Sequence, residues 1–502
     1  MTDRNTNLLG GRKLARNVIW NLLGAVIPIL VAIIAIPILI KGLGSARFGV
    51  LTLAWVVVGY FSLFDLGLGR ALTKLVAEKL GKGQNDDIPS LIWTAMSMML
   101  VLGVIGAIVV SAISSWLVSD ALNIPLKLQP ETIISLYMLA ASIPIVISTT
   151  GLRGVLEAHQ RFGLVNAVRI PLGISTFLGP MAVLPFSDSL IPVVAVLVII
   201  RLIFFCVYLT LCLNVEPKLR KMVKVRRDMI MALISFGGWM TISYIVGPIL
   251  VYMDRFIIGS VVTMAAVAYY ATPNEIVTKL SIISNALMGV IFPAFAASFA
   301  QDRTRAAFLF NQAINYIFII LFPIVLIMVT FSFEALSLWV GKEFAFNSSL
   351  VMKLLVIGAF INSFAYVPLG LIQAAGRPDL TAKLHLTELP FYLLVLWWLL
   401  GAYGIVGAAI AWVLRATVDA IALFFIAQKL SPSTPLFSLR HVYVLSVALL
   451  ILVLGSIIST SLLKVLFLII VLFVFAIFSW FIILNTDERD LIRNRLKTIP
   501  FN

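Results

Sequence analysis

Apolar runs long enough to cross a bilayer follow one another from Val18 to Leu484, broken only by short polar stretches. A helix needs about 20 such residues to span the ~30 Å hydrocarbon layer, whereas a barrel strand needs only about 9–11. Lipid offers backbone N–H and C=O groups no partner, so runs of this length read as helices, which satisfy those groups internally. With 61% hydrophobic residues, 12% charged residues and a mean hydropathy of +1.09, the chain cannot cover a water-facing surface with polar groups.

Ending each run at clusters of charge, Gly and Pro places spans at 18–40, 48–69, 91–118, 132–152, 164–185, 191–213, 229–253, 265–297, 308–332, 349–374, 384–400, 404–427, 440–459 and 465–484. The fold class is therefore an all-α integral membrane protein of about fourteen transmembrane helices. Arg4, Arg12, Lys13 and Arg16 precede the first run, but that run exceeds the ~7–15-residue core of a signal peptide and reads as the first span. Cys206 and Cys212 share one apolar run at a spacing that fits neither a disulfide framework nor a metal site.

Positive loops are retained on the cytoplasmic side. With both termini inside, the outer segments hold only Lys41, Arg47, Lys127, Arg255, Lys342 and Lys464, so most of the 37 Lys and Arg residues fall inside. The basic run Lys218, Arg220, Lys221, Lys224, Arg226, Arg227 is then a topological signal beside anionic lipid headgroups, and no nucleic-acid partner is expected.

A weak internal repeat divides the chain. Leu156-Glu-Ala-His-Gln-Arg-Phe-Gly-Leu164 aligns with Ile372-Gln-Ala-Ala-Gly-Arg-Pro-Asp-Leu380, setting Arg161 on Arg377 and Arg169 on His385. A nearly equal offset sets Ala195-Val-Leu-Val-Ile-Ile-Arg201 on Ala409-Ile-Ala-Trp-Val-Leu-Arg415. Repeats separated by an even number of spans share one orientation. The expected organisation is a six-helix lobe at 1–213, a basic cytoplasmic linker at 214–228, a second six-helix lobe at 229–427, two additional helices within 428–484 and a cytoplasmic tail at 485–502. Pro28 and Pro37 in the first span, and Pro248 in the seventh, are candidate hinge or cavity positions, although Pro is also common in membrane helices without either role.

A charge at mid-bilayer costs at least ~2.5–3.5 kcal/mol on insertion scales, so intramembrane ions mark partners or cavities. Glu275 with Lys279, and Arg415 with Asp419, are each four residues apart on one helix face, as local ion pairs or as functional groups. Arg169 and Arg201 have no acidic residue within four positions, and a guanidinium cannot shed its proton, so both are assigned a role. Lys353 is placed near an outer helix end, able to snorkel. Asp65, with Arg70 about one and a half turns on, could be an ion-pair partner, a gate or a proton carrier. Glu388 is similarly ambiguous, and His159 and His385 are expected in cytoplasmic loops. No phosphate-binding Gly-rich loop, metal-ligand cluster or nucleophile with a base is visible, so the chain is read as a transporter without cofactor or metal, not an enzyme.

Five short motifs, Asn17-Val-Ile-Trp-Asn21, Phe48-Gly-Val50, Asp65-Leu-Gly-Leu-Gly-Arg-Ala-Leu72, Met253-Asp-Arg-Phe-Ile-Ile-Gly259 and Gln373-Ala-Ala-Gly-Arg377, stand in an order and spacing that resembles the Wzx-type flippases of bacterial polysaccharide assembly. These belong to the multidrug/oligosaccharidyl-lipid/polysaccharide exporter superfamily. The resemblance covers essentially the whole chain. It implies two six-helix lobes around a central cavity, alternating access, a cationic lining and location in the bacterial inner membrane. It further implies a polyprenyl-pyrophosphate-linked oligosaccharide as substrate, such as an O-antigen unit of lipopolysaccharide. Membrane lipids, a coupling cation (proton or sodium), a polysaccharide polymerase and a chain-length regulator are the implied partners.

On this chain's own helices, Arg169, Arg201, Lys279 and Arg415 are the expected substrate-binding residues. Asp65, Arg70, Glu275, Glu388 and Asp419 are expected to serve gating or ion coupling. The alternatives are a cation-antiporting multidrug exporter of the same superfamily, against which the excess of intramembrane cations counts, and a membrane polysaccharide polymerase or glycosyltransferase, against which the short outer loops count.

Overall fold

The structure, a computed structural model, describes residues 4–63, 67–81, 84–220, 223–301, 303–431, 439–484 and 489–490. All regular structure among them is helical: α1 (Arg4–Leu63), α2 (Leu68–Gly81), α3 (Ile88–Trp116), α4 (Gln129–Ala158), α5 (Phe162–Val183), α6 (Leu190–Val215), α7 (Arg227–Val261), α8 (Met264–Val277), α9 (Ser281–Gln301), α10 (Arg303–Thr330), α11 (Ser332–Trp339), α12 (Lys342–Ala374), α13 (Pro378–Leu430), α14 (Leu439–Ile457) and α15 (Ser461–Phe478), with short 3₁₀ and π turns between them. Among the described residues nine helical runs are long and apolar enough to cross a membrane.

Two of these helices are each a pair. Gly44 (φ 78°, ψ 162°) turns α1, and Gly404 (φ 59°, ψ −145°) turns α13, in conformations that glycine reaches without a Cβ penalty. Each therefore supplies two of the expected spans. The expected span 265–297 is broken instead: α8 ends in a 3₁₀ turn at Thr278–Leu280 before α9 begins. Thr278 Oγ1 donates to the Asn274 carbonyl at 2.9 Å and Ser281 Oγ to that of Thr278 at 2.7 Å, side-chain bonds that compete with the helical ladder.

By internal contacts the chain falls into two units, Met1–Thr272 and Pro273–Asn502. The basic segment 214–228 and all of α7 lie within the first. There, small residues let helices approach closely, as membrane helices require in the absence of a hydrophobic drive. A Cβ on Gly103 of α3 would stand 2.4 Å from Pro144 Cα of α4, and one on Gly154 of α4 would stand 2.9 Å from the Gly69 carbonyl of α2. Leu72, Ile88, Leu91, Met99, Ile147 and Val155 fill the space between these helices. Outward-facing Ile105, Ile108, Ile199 and Ile203 are exposed, as expected of side chains whose solvent is hydrocarbon.

In the second unit α15 is tied to the rest by aromatic packing. Phe475 of α15 lies 4.8 Å from Phe322 and 5.6 Å from Phe318 of α10, ring centre to ring centre. Lys464, at the start of α15 and only 4% exposed, donates to both carboxylate oxygens of Glu334 on α11 at 2.7 and 3.0 Å. Lys353 of α12 donates to the Ser456 carbonyl at 2.6 Å, so this ammonium is held by α14 instead of snorkelling.

The sequence repeat has a backbone counterpart. At the end of α4, Arg161 N donates to the Leu156 carbonyl at 2.9 Å and Gln160 N to Glu157 at 2.9 Å; at the end of α12, Arg377 N donates to Ile372 at 3.1 Å and Gly376 N to Gln373 at 3.0 Å. Both turns are left-handed C-caps, with φ 56° at Gln160 and 73° at Gly376. The aligned arginines each precede the next helix, as the N-cap residues of α5 and α13.

Candidate functional site

Among the described residues, a group of three His, Asp and Glu side chains with closely spaced donor atoms lies on α13. His385 and Glu388 stand three residues apart on its first half, hence on one face. Gly404 folds the second half back, and Gly407 packs so tightly on the first that a Cβ there would meet the Leu399 carbonyl at 1.9 Å. That close approach brings Asp419 to His385, Nε2 to Oδ1 3.5 Å. One donor atom from each of His385, Glu388 and Asp419 lies within 4.8 Å of the others.

Glu388 is 8% exposed and Asp419 6%. Both oxygens of Glu388, and Oδ1 of Asp419, are buried without a hydrogen bond. Arg415, expected to pair with Asp419 one turn on, instead sets its guanidinium carbon 5.5 Å from the Tyr392 ring centre, with Nε buried and unbonded. His385 is thus no loop histidine, and Glu388 is not at an ambiguous boundary: α13 begins at Pro378 and encloses both.

The corresponding pair in the first unit, α5 and α6, is basic without being acidic. Arg169 is exposed on α5 and Arg201 is half-buried midway along α6. By the repeat, Glu388 corresponds to Leu172 and Asp419 to Phe205. Lys279 sits in the 3₁₀ break between α8 and α9, its Nζ 3.7 Å from Glu275 Oε2, so the expected local pair is present. Arg70 is exposed in the first turn of α2, and Asp65 lies outside the described residues.

Two further placements differ from expectation. Arg255 belongs not to an outer loop but to α7, which runs on to Val261; it is buried beside Asp254, whose carboxylate accepts from the Arg255 backbone N–H at 2.7 Å. Ending the span at the first charged residues cut this helix short. Lys464 is likewise buried, by its pairing with Glu334. His159, by contrast, stands in the turn after α4, as a loop histidine should, and faces Glu216 at 3.8 Å.

The basic segment is partly neutralised by acids of its own unit. Lys218 meets Asp86 at 2.6 Å, and Arg226 meets Asp87 at 2.8 Å and Asp228 at 2.7 Å. The hydrogen bond to Asp86 raises the Lys218 ammonium above its ordinary pKa. A cavity of about 390 Å³ among α10, α14 and α15, lined by residues such as Phe318, Val447, Ile470 and Phe475, is apolar and offers nothing to a charged headgroup.

Spanning helices with a closed turn in each repeat, and charges kept on a few of them, define a multi-pass helical membrane protein. The chain belongs to the polysaccharide biosynthesis protein family, whose profile matches residues 14–299. It is 32% identical over 418 residues, 83% of this chain and 98% of the relative, to a putative O-antigen transporter of Shigella flexneri. A probable low-salt glycan biosynthesis flippase of Haloferax volcanii is 25% identical over 192 residues, 38% of this chain and 40% of that one.

Among solved structures, the inward closed lipid II flippase MurJ matches with a TM-score of 0.68 at 12% identity, covering 95% of this chain and 100% of that one. An inward-facing multidrug resistance transporter of the MATE family matches with a TM-score of 0.69 at 14% identity, covering 82% and 99%. The all-α fold of the exporter superfamily, expected from the motifs, is therefore the fold of this chain.

Proposed function

We propose that this protein is a flippase, not an enzyme, that carries a polyprenyl-pyrophosphate-linked oligosaccharide, an O-antigen or other surface-polysaccharide unit, from the cytoplasmic to the periplasmic leaflet. The observation that carries the reading is the relative named as an O-antigen transporter, matched over 98% of its own length. The chemistry is consistent with it. A pyrophosphate and its sugars face a large cost in hydrocarbon while the prenyl tail does not, so only the headgroup needs a polar path.

In this reading Arg169, Arg201, Lys279 and Arg415 supply the cationic cavity, the arginines as forked donors to phosphate oxygens. Access alternates between the two sides of the bacterial inner membrane, with both termini cytoplasmic. An interior-negative potential favours outward movement of an anion by about 2.3 kcal/mol per charge per 100 mV. Glu388 and Asp419, with Glu275, Asp65 and Arg70, serve gating or coupling to a proton or sodium ion. A polymerase and a chain-length regulator act on the delivered unit.

The test replaces Arg201 and Arg415 singly by Ala and by Lys and measures lipid-linked oligosaccharide reaching the outer leaflet. Loss with Ala and partial retention with Lys are expected. Full transport in all four variants, at normal abundance, would remove these arginines from the mechanism.

A further inference from the structure

We propose that His385, Glu388 and Asp419 form a binding site for a single divalent transition-metal ion, zinc being the ion its ligands suit best. The site stands on its own geometry and does not depend on the transported substrate. His-x-x-Glu at three-residue spacing presents an imidazole and a carboxylate on one helix face, the spacing, in reverse order, of the Glu-x-x-His pairs that helical bundles use in carboxylate-bridged metal centres. The Gly404 turn supplies the third ligand from the facing half of the same helix.

Distances fit the chemistry. Bonds of about 2.0–2.2 Å at tetrahedral angles set neighbouring donor atoms roughly 3.4 Å apart. His385 Nε2 and Asp419 Oδ1 are 3.5 Å apart, and the third donor, a Glu388 oxygen, lies within 4.8 Å of both. Three protein ligands leave a fourth position for water, and His385, the least buried of the three, opens to it.

A second observation points to a ligand. Glu388 and Asp419 are each more than nine-tenths buried; both oxygens of Glu388 have no hydrogen-bond partner, and Asp419 Oδ1 has only the 3.5 Å approach of His385, whereas buried carboxylates in proteins ordinarily find partners. Arg415 lies one turn from Asp419 but directs its guanidinium at Tyr392, so its charge is not spent on a direct bond to these oxygens. As metal ligands, two carboxylates deprotonated by the ion and one imidazole would bring two negative charges to a divalent cation. The mixed nitrogen and oxygen set excludes magnesium and calcium as preferred occupants, since those hard ions take six or more oxygens, whereas imidazole favours zinc, copper, iron or nickel. A bound ion joins the two halves of α13 at a level remote from the Gly404 turn.

The experiment uses the full chain purified in detergent through a tag free of histidine, stripped with chelator and titrated with cobalt(II), whose visible absorption reports a nitrogen–oxygen site. One equivalent per chain, displaced by zinc and accompanied by a raised unfolding temperature, is expected. His385→Gln and Asp419→Asn, which keep side-chain volume, should each weaken cobalt binding by at least tenfold, while His159→Ala should leave it unchanged. Glu388→Gln replaces either variant that does not give monodisperse protein. Absence of the bands, or equal binding by wild type and both site variants, would overturn the metal assignment; bands lost equally in His159→Ala would also do so. Transport measurements play no part, so failure here leaves the flippase reading standing, and the reverse.

Discussion

The α5–α6 pair of the first unit and the two halves of α13 in the second occupy the same place in the repeat, yet they are built differently. Both follow a left-handed cap and an arginine, and both carry a second arginine near the middle of their later helix. In α5–α6 the connection is the loop 184–189, with Ser189 capping α6 by accepting from Ile191 N. In α13 one glycine does the turning, and the helices beyond it touch at backbone level. The looser pair holds arginines alone; the tighter pair adds Glu388 and Asp419. The tighter pair is thus also the one that buries acids within its helices.

The largest predicted effect tests that claim. Gly407→Ala would drive a Cβ into the Leu399 carbonyl, a backbone atom that cannot rotate away. The cost should exceed about 3 kcal/mol, beyond ordinary overpacking, and appear as loss of folded protein in detergent thermal melts. Gly179→Ala in α5 meets only the Ile200 and Val196 methyl ends and should cost under about 1 kcal/mol. Equal losses would mean that the two hairpins are not packed differently.

Much of this contrast was legible in the sequence. The aligned Arg161 and Arg377, and Arg201 and Arg415, came from offset alone, and the turns they belong to share hydrogen bonds position by position. What spacing could not show was contact between residues far apart in the chain. Arg415 and Asp419 share a helix face, but the tertiary approach gives Asp419 to His385 and Arg415 to Tyr392. The signal available was the three-residue spacing of His385 and Glu388, which acquires meaning only once Gly404 is known to reverse the chain. Asp254 and Arg255 were missed for another reason: adjacent charges imitate the edge of a membrane, and only burial reveals that α7 continues past them.

A middle-sized effect sharpens the electrostatic half of the comparison. Phe205→Asp gives Arg201 an acid four residues on, as Arg415 already has in Asp419. An acid at that spacing lowers the net charge around Arg201 without requiring a new backbone position, whether or not the two side chains meet directly. If an uncompensated guanidinium at 201 is what meets phosphate, outer-leaflet delivery should fall at least tenfold, about 1.4 kcal/mol, at unchanged abundance. Phe205→Asn, polar but uncharged, should retain most transport. Equal loss in both would assign the effect to polarity in the helix and not to the arginine.

The smallest effect lies at the paired caps, where the two repeats use different residues for one conformation. A non-glycine residue in the left-handed region costs roughly 1–2 kcal/mol, and Gln160 bears that cost while Gly376 does not. Gly376→Ala should therefore lower stability by about 1 kcal/mol, with open space around its Cβ leaving conformation as the cause. Gln160→Gly should raise stability, by less than the full penalty, because glycine also loses more freedom on folding. Thermal melts of the two variants and of their combination decide the matter. Opposite signs would show that the same turn closes both repeats with unequal strain, and a loss at Gln160→Gly would mean that the glutamine side chain, not its backbone, holds that corner.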